Sequence, residues 1–245
     1  MPRLHRASAL IVMLLLTQGA AAQKLRLVAD AWPPFTDVTL VNGGLATDIV
    51  STALARAGYA SDFEQVPWAR AMMGVGEGRY DVLVNAWYSA DRTQLGQFSG
   101  EYLLNRVRFL KRKDAPIEYN NLQQLHPYPI AIVRGYAYSS EFDDDASLQK
   151  VPVHNFAMAV RMVVADRVKL TLEDEYVARY HLARESSKVR NSVEFLPKPL
   201  SENSLHILVS LKNPQHEKIV AGFDREIAEM KADGSYARLM KQHGM

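Results

Sequence analysis

Arg92 lies in the stretch AWYSADRTQLGQFSGEY (86–102), between a Trp-Tyr pair and a Phe-Ser-Gly-Glu-Tyr segment. An arginine set among aromatic residues just after an apolar strand is equipped to grip an anion. Aromatic walls exclude water and strengthen its charge-assisted hydrogen bonds. The ordinary alternative is a surface ion pair with Asp91 or Glu101, worth about 0–1 kcal/mol. A second chemically capable group is the acidic run Glu173-Asp174-Glu175, placed where a strand pattern gives way to a helix pattern. An aspartate there can cap the helix, stabilising its amide end by about 1 kcal/mol, or it can face a cation. Other apparent motifs fail on context. GVGEG (74–78) follows a helix pattern, whereas a phosphate loop follows a strand and opens a helix. SLQK (147–150) has Ser-x-x-Lys spacing without the companion motifs of that catalytic class. The seven histidines show no metal-ligand spacing. Neither a cofactor nor a metal is expected, and no residue is assigned as catalytic.

Bulk composition narrows the setting. Arg3, His5 and Arg6 precede the apolar run ASALIVMLLL (7–16), and AAA (20–22) offers a signal-peptidase site before Gln23. Residues 1–22 therefore read as a signal peptide. No other window reaches the ~18 apolar residues that a membrane-spanning helix needs. The full chain carries 29 basic and 27 acidic residues; without Arg3 and Arg6 the two are equal. A nucleic-acid partner is not expected from such a balance. Cysteine is absent, which excludes disulfides, thiolate metal sites, a cysteine nucleophile and a lipidated cysteine anchor. A freely diffusing protein of a Gram-negative periplasm is the expectation.

Strand and helix patterns alternate, as in α/β architectures with parallel sheets. Strands are expected at 24–32, 63–68, 80–88, 107–113, 129–135, 168–174 and 204–213. Helices are expected at 44–59, 69–79, 155–167 with Asn155 as cap, about 174–184, and a last pair broken at Gly234. Two strands, near 106–113 and 205–213, are placed to cross between two units. The chain would then leave lobe 1, build lobe 2 and return, giving lobe 1 as 23–110 plus 210–245 and lobe 2 as 111–209.

Seven segments in order resemble the family 3 extracellular solute-binding proteins, the polar amino-acid binding components of bacterial ABC importers. They are WPPF (32–35), GLATDIV (44–50), GEGRYDVLV (76–84), DRTQLGQFSGEY (91–102), IAIVRGYAYSSEF (130–142), LTLEDEYVA (170–178) and ADGSYARLMKQHG (232–244). The resemblance spans essentially the whole chain after the signal. It implies a two-lobed periplasmic binding protein fold of type II, with two crossing hinge strands. It also implies a monomer that binds a small-molecule solute, an amino acid or related carboxylate, and docks on an inner-membrane ABC permease.

The same resemblance implies site roles. Arg92 takes the place of the arginine that pairs with the ligand's α-carboxylate, a planar two-donor fork suited to that anion. Trp32 and Trp68 match aromatic positions against the ligand, at the carboxyl ends of strands where α/β sheets bind ligands. Asp174 matches the lobe 2 carboxylate that receives the α-ammonium, and Asp30 is placed either to meet a ligand cation or to cap a turn. Gly135 to Tyr138 matches the turn that helps to hold the carboxylate. Three positions depart from the family pattern by bulk: Trp87, Tyr136 and Tyr138 stand where small hydroxyl residues are usual. Lys169 stands where aspartate is frequent, and Arg70 is a candidate second cation. A bulkier, more aromatic and more basic pocket is thus expected. Two alternatives share the fold: a solute sensor for a membrane receptor, and a cyclohexadienyl-dehydratase-like periplasmic enzyme using Glu173, Asp174 or Glu175 as general acid.

Overall fold

The computed structural model describes residues 24–134, 136 and 138–245. The expected signal peptide and the expected ligand contact at Gly135 lie outside the described residues. In chain order, β1 (Lys24–Ala29), α1 (Leu45–Arg56), β2 (Ala60–Gln65), α2 (Trp68–Gly76), β3 (Val82–Trp87), β4 (Gly96–Phe98) and β5 (Leu103–Arg112) come first. Then follow β6 (Ile130–Val133), α3 (Ser140–Asp144), β7 (Lys150–Val153), α4 (Phe156–Val164), β8 (Leu170–Asp174), α5 (Glu175–Leu182) and α6 (Ser187–Ser192). The long β9 (Val193–Ser210), α7 (His216–Ala232) and α8 (Ser235–Gln242) complete the chain. No described helix is long and apolar enough to cross a membrane.

The strands form one nine-stranded ladder in the order β2-β1-β3-β9-β5-β8-β6-β7, with β4 paired to β9. Two parallel units, β2-β1-β3 and β8-β6-β7, flank the antiparallel pair β9-β5. The sheet is therefore parallel within each unit and antiparallel at the junction, because the two connecting strands run against each other as they pass between units. In the first unit Leu25, Leu27 and Ala29 pack under α1 and α7, with Ile219, Phe223, Ile227 and Met230 of α7 as the covering stripe. Val28 points to the opposite face, onto Ala71 and Val75 of α2. β3, buried along almost its whole length, reads as an apolar run, whereas the charged Lys24 and Arg26 alternate with buried Leu25 and Leu27 in β1, which makes it legible by its period of two. The second unit has its own cores, one around Phe109, Phe142 and Leu172, the other around Leu110, Phe156 and Val163.

Core membership changes partway along β5 and β9. Leu103 packs in the first unit, whereas Val107, Phe109 and Leu110 pack in the second. On the return, Val193 and Leu196 belong to the second unit, and Leu205, Ile207 and Val209 to the first. Core membership therefore changes between Leu103 and Val107 on β5 and between Leu200 and Leu205 on β9. Register between the two strands shifts at Val107, Arg108 and Leu110, opposite Pro199. Such bulges bend and twist a ladder, and here they let one sheet serve two lobes. The return strand starts at Val193, well before the expected 204.

Candidate functional site

A cleft of about 610 Å³ opens where the carboxyl ends of β1, β3 and β8 and the loop after β6 converge. Its wall from the first unit holds Asp30, Ala31, Trp32, Trp68, Asn85, Trp87 and Arg92; the facing wall holds Val107, Tyr136, Tyr138, Glu173 and Asp174.

Local structure explains each placement. Trp32 begins a tight loop closed by reciprocal backbone hydrogen bonds with Thr36. That loop is anchored because Leu45 N–H donates to the Pro34 carbonyl at 2.9 Å and Ala46 N–H to that of Phe35 at 2.8 Å, capping the start of α1. Gly44 permits this close approach: its φ is +97°, and a Cβ there would sit 2.6 Å from the Phe35 oxygen. Trp68 opens α2 directly after Pro67; the expected strand ends earlier, at Gln65. Trp87 ends β3, edge-on to Trp32 with ring centroids 5.8 Å apart. Arg92 sits in a one-turn 3-10 segment, Ala90–Gln94. Its Nη1 donates to the Trp87 carbonyl at 2.7 Å, and its guanidinium lies over the Trp68 ring, 5.1 Å from the centroid. Among the described residues no carboxylate pairs with it, so the surface ion pair with Asp91 or Glu101 does not form. Burial alone acts on its pKa, pushing it down, yet a guanidinium remains charged at physiological pH.

The opposite wall is acidic. Asp174 caps α5: its Oδ1 accepts from the amides of Tyr176 at 2.9 Å and Val177 at 3.0 Å. Its Oδ2 accepts from Asn105 Nδ2 at 3.0 Å, and Asn105 Oδ1 in turn accepts from Trp87 Nε1 at 3.0 Å. Fully buried Asn105 of β5 thereby links the two walls. Burial raises the Asp174 pKa to about 6 against the opposing hydrogen bonds. Glu173, 5% exposed, accepts from the Asp174 amide through Oε1, while its Oε2 has no partner among the described residues. Burial, reinforced by the neighbouring Asp174 charge, lifts its pKa to about 8. Burial would raise Glu175 too, but hydrogen bonds from Arg179 and Arg108 outweigh it and hold that carboxyl below its ordinary value. On the first wall, Asp30 Oδ1 accepts from Asn85 Nδ2 at 2.9 Å, which leaves the buried Asn85 Oδ1 without a partner.

Of the residues singled out in the sequence, Trp32, Trp68, Trp87, Arg92, Tyr136, Tyr138 and Asp174 meet in this cleft. Arg70 does not line it. Two helical residues beyond Trp68 is a turn of about 200°, so Arg70 is exposed and its charge acts on the Tyr80 hydroxyl instead. The lining is not the more basic one expected: among the described lining residues one cation, Arg92, faces Asp30, Glu173 and Asp174. Tyr138 is mostly a core residue, its hydroxyl accepting from Val133 N–H at 2.9 Å, whereas Tyr136 is 52% exposed at the cleft mouth. Asn85, Asn105 and Val107 were not singled out. Nothing in an apolar strand marks one asparagine as a cleft residue, although a polar residue inside such a run is a usable signal.

The Asn105 bridge makes a measurable contribution. Asn105→Ala strips a buried partner from both Asp174 and Trp87, and an orphaned buried group costs about 1–3 kcal/mol. We expect thermal unfolding of the free protein to fall by roughly 4–10 °C; an unchanged midpoint would show that the bridge is not stabilising.

Two α/β units joined by paired crossing strands, with a cleft at their junction, define the two-lobed clamp of periplasmic binding proteins. The profile of bacterial extracellular solute-binding proteins, family 3, matches residues 25–245, and the chain belongs to that family. Among curated proteins no sequence matches it. Solved structures with the same fold include a mutant of ArgBP from T. maritima, with TM-score 0.63, 19% identity, and coverage of 89% of this chain and 94% of that one. Another is the ancestral amino acid-binding protein AncCDT-1, a precursor of cyclohexadienyl dehydratase: TM-score 0.61, 20% identity, 89% and 94% covered. The GluR0 ligand-binding core in complex with L-glutamate gives TM-score 0.69, 15% identity, 91% and 98% covered. At these identities the likeness speaks for the fold alone. Membership of the family supports binding of a small solute.

Proposed function

We propose that the protein is a periplasmic binding component of an ABC importer, capturing an amino acid or related small carboxylate in the cleft and presenting it, as a monomer, to an inner-membrane permease. The observation that carries this reading is Arg92, a half-buried guanidinium in an aromatic setting with no carboxylate paired to it among the described residues. The solute carboxylate supplies the missing counter-charge, and a solute cation meets the acidic wall across the cleft. A solute touching both walls stabilises the closed clamp, because only differential affinity for one state shifts a conformational equilibrium. Thermal unfolding against a panel of amino acids, small carboxylates, sugars and inorganic ions tests it. A solute at 100 times its dissociation constant adds ~2.7 kcal/mol, or roughly 5–10 °C for a chain of this size. A shift with carboxylate-bearing solutes supports the reading; shifts only with sugars or inorganic ions would overturn it.

One observation favours an enzymatic second reading. The Glu173 carboxyl, with a pKa of about 8, retains its proton at neutral pH beside a ligand-sized cleft, as a general acid must. Turnover of prephenate or arogenate, lost in Glu173→Gln, would establish it; stable binding of either without turnover would dismiss it.

A further inference from the structure

Family resemblance directs the solute's ammonium to Asp174, but that carboxylate is already occupied. A carboxylate offers about four lone-pair sites, and here Tyr176 N, Val177 N and Asn105 Nδ2 take three, with the Arg106 amide contributing as well. Glu173, one residue earlier, is the carboxyl with capacity left. It lines the same cleft, is almost fully buried, and its Oε2 lacks any donor. Across the cleft, the second unpartnered acceptor is Asn85 Oδ1, its amide oriented by donation to Asp30. Asn85 Oδ1 is an acceptor, and Glu173 Oε2 becomes one when its proton leaves, so a molecule that takes both positions brings N–H donors. Because β8 ends at Asp174 and the chain turns into α5, two successive residues reach one cleft that strand alternation would have kept apart.

We infer that Glu173, not Asp174, receives the cationic nitrogen of the solute through its unpaired Oε2, with Asp174 acting as a positioning residue that fixes the wall. This rests on the solute-binding reading above and names the chemistry of its second subsite: a protonated amine or guanidinium on a molecule whose carboxylate is held by Arg92. The groups facing Glu173 leave that role open. Asp174 adjoins it on its own strand, and Tyr136 and Tyr138 face it from the loop after β6. Arg108, its register partner on β5, directs its guanidinium to Glu175 and the Leu196 carbonyl. Arg179 of α5 likewise serves Glu175, while Asp30 and Arg92 lie on the opposite wall. Among the described residues no cation neutralises Glu173, so a bound cation draws off its proton.

The consequence is proton release on binding. Isothermal titration of L-arginine, L-glutamine and succinate, in two buffers of different ionisation heat, reads it out. With a free-state pKa of about 8, an amino acid that binds should release about 0.9 proton at pH 7.0 and about a quarter of a proton at pH 8.5. Its affinity should rise about eightfold between those values. Succinate, lacking nitrogen, should release none. In Glu173→Gln the release should vanish, and affinity at pH 8.5 should fall tenfold or more. Identical release and affinity in Glu173→Gln overturns the assignment, as does release that disappears only in Asp174→Asn. Binding by none of the three probes overturns this assignment together with the reading beneath it. Binding that depends on Arg92 but ignores Glu173 overturns this assignment alone. The wild-type proton count stands independently of how well the variant folds.

Discussion

Arg92→Ala should abolish solute binding while leaving the protein folded. The two effects separate because the guanidinium does little for the free structure and much for the bound one. In the free protein it makes one hydrogen bond, to the Trp87 carbonyl, and one stacking contact with Trp68. Together these are worth about 1–2 kcal/mol. A carboxylate brought into the cleft has no other cation in the described wall to meet. Removing one member of a buried charge pair costs about 3–5 kcal/mol, because the other is left desolvated and unpaired. We therefore expect affinity to drop by roughly a factor of a hundred to several thousand, with an unfolding midpoint within a few degrees of wild type. Arg92→Lys keeps the charge but loses the two-donor fork and the flat stacking face, so an intermediate loss is expected. Unchanged affinity of Arg92→Ala in an isothermal titration would end the assignment.

Such a cleft explains why the aromatic positions accompany the charge. Trp32, Trp68 and Trp87 supply low-dielectric walls, and the Trp87 indole N–H is tied through Asn105 to Asp174. The tryptophan that replaces a small hydroxyl residue of the family pattern thus enters a bridge between the walls. Its bulk narrows the site, and its polar edge stiffens it.

Much of this was legible because the relevant signals are local. Periodicity located β1, α1, β3 and α7, and Arg92 declared itself by its neighbours. The failures have physical causes. The expected strand at 204–213 leaves out Val193–Asn203, where Pro197 and Pro199 each lack a ladder donor; in the structure Pro199 sits where the β5–β9 register slips, a bulge that accepts it. Lys150–Val153 is a further strand outside the expected set, and its Pro152 is accommodated because β7 ends the sheet. Arg70 falls away from the cleft because Trp68 opens a helix instead of ending a strand: helix phase decides which side chain meets the cleft. In the sequence Glu173 is one of three adjacent acids, any of which could supply a general acid. Only the tertiary structure separates them, giving Asp174 its caps, Glu175 its two arginines and Glu173 nothing at its Oε2.

That isolation has a stability consequence opposite in sign to its binding role. Glu173 holds its proton to about pH 8 in the folded chain, against an ordinary value of 4.5. The folded state thus binds a proton that the unfolded state releases, and stability is full below pH 4.5 and lost as pH rises toward 8. The shift corresponds to a loss of a few kcal/mol, at most about 5, complete above pH 8. Asp174, raised to about 6, acts with the same sign over a lower window, ending near pH 6. Glu173→Gln keeps the shape and removes the titration. The free variant should therefore match wild type near pH 4.5 and outlast it increasingly between pH 6 and 8.5, by roughly 5–15 °C at the upper end. Thermal unfolding of both proteins across that range, without solute, checks it. Parallel profiles would mean that Glu173 ionises freely in the folded protein and that its isolation is filled by solvent. A diverging pair, together with weakened solute binding by the same variant, would identify Glu173 as a group kept at a cost to the empty protein for what it does in the filled one.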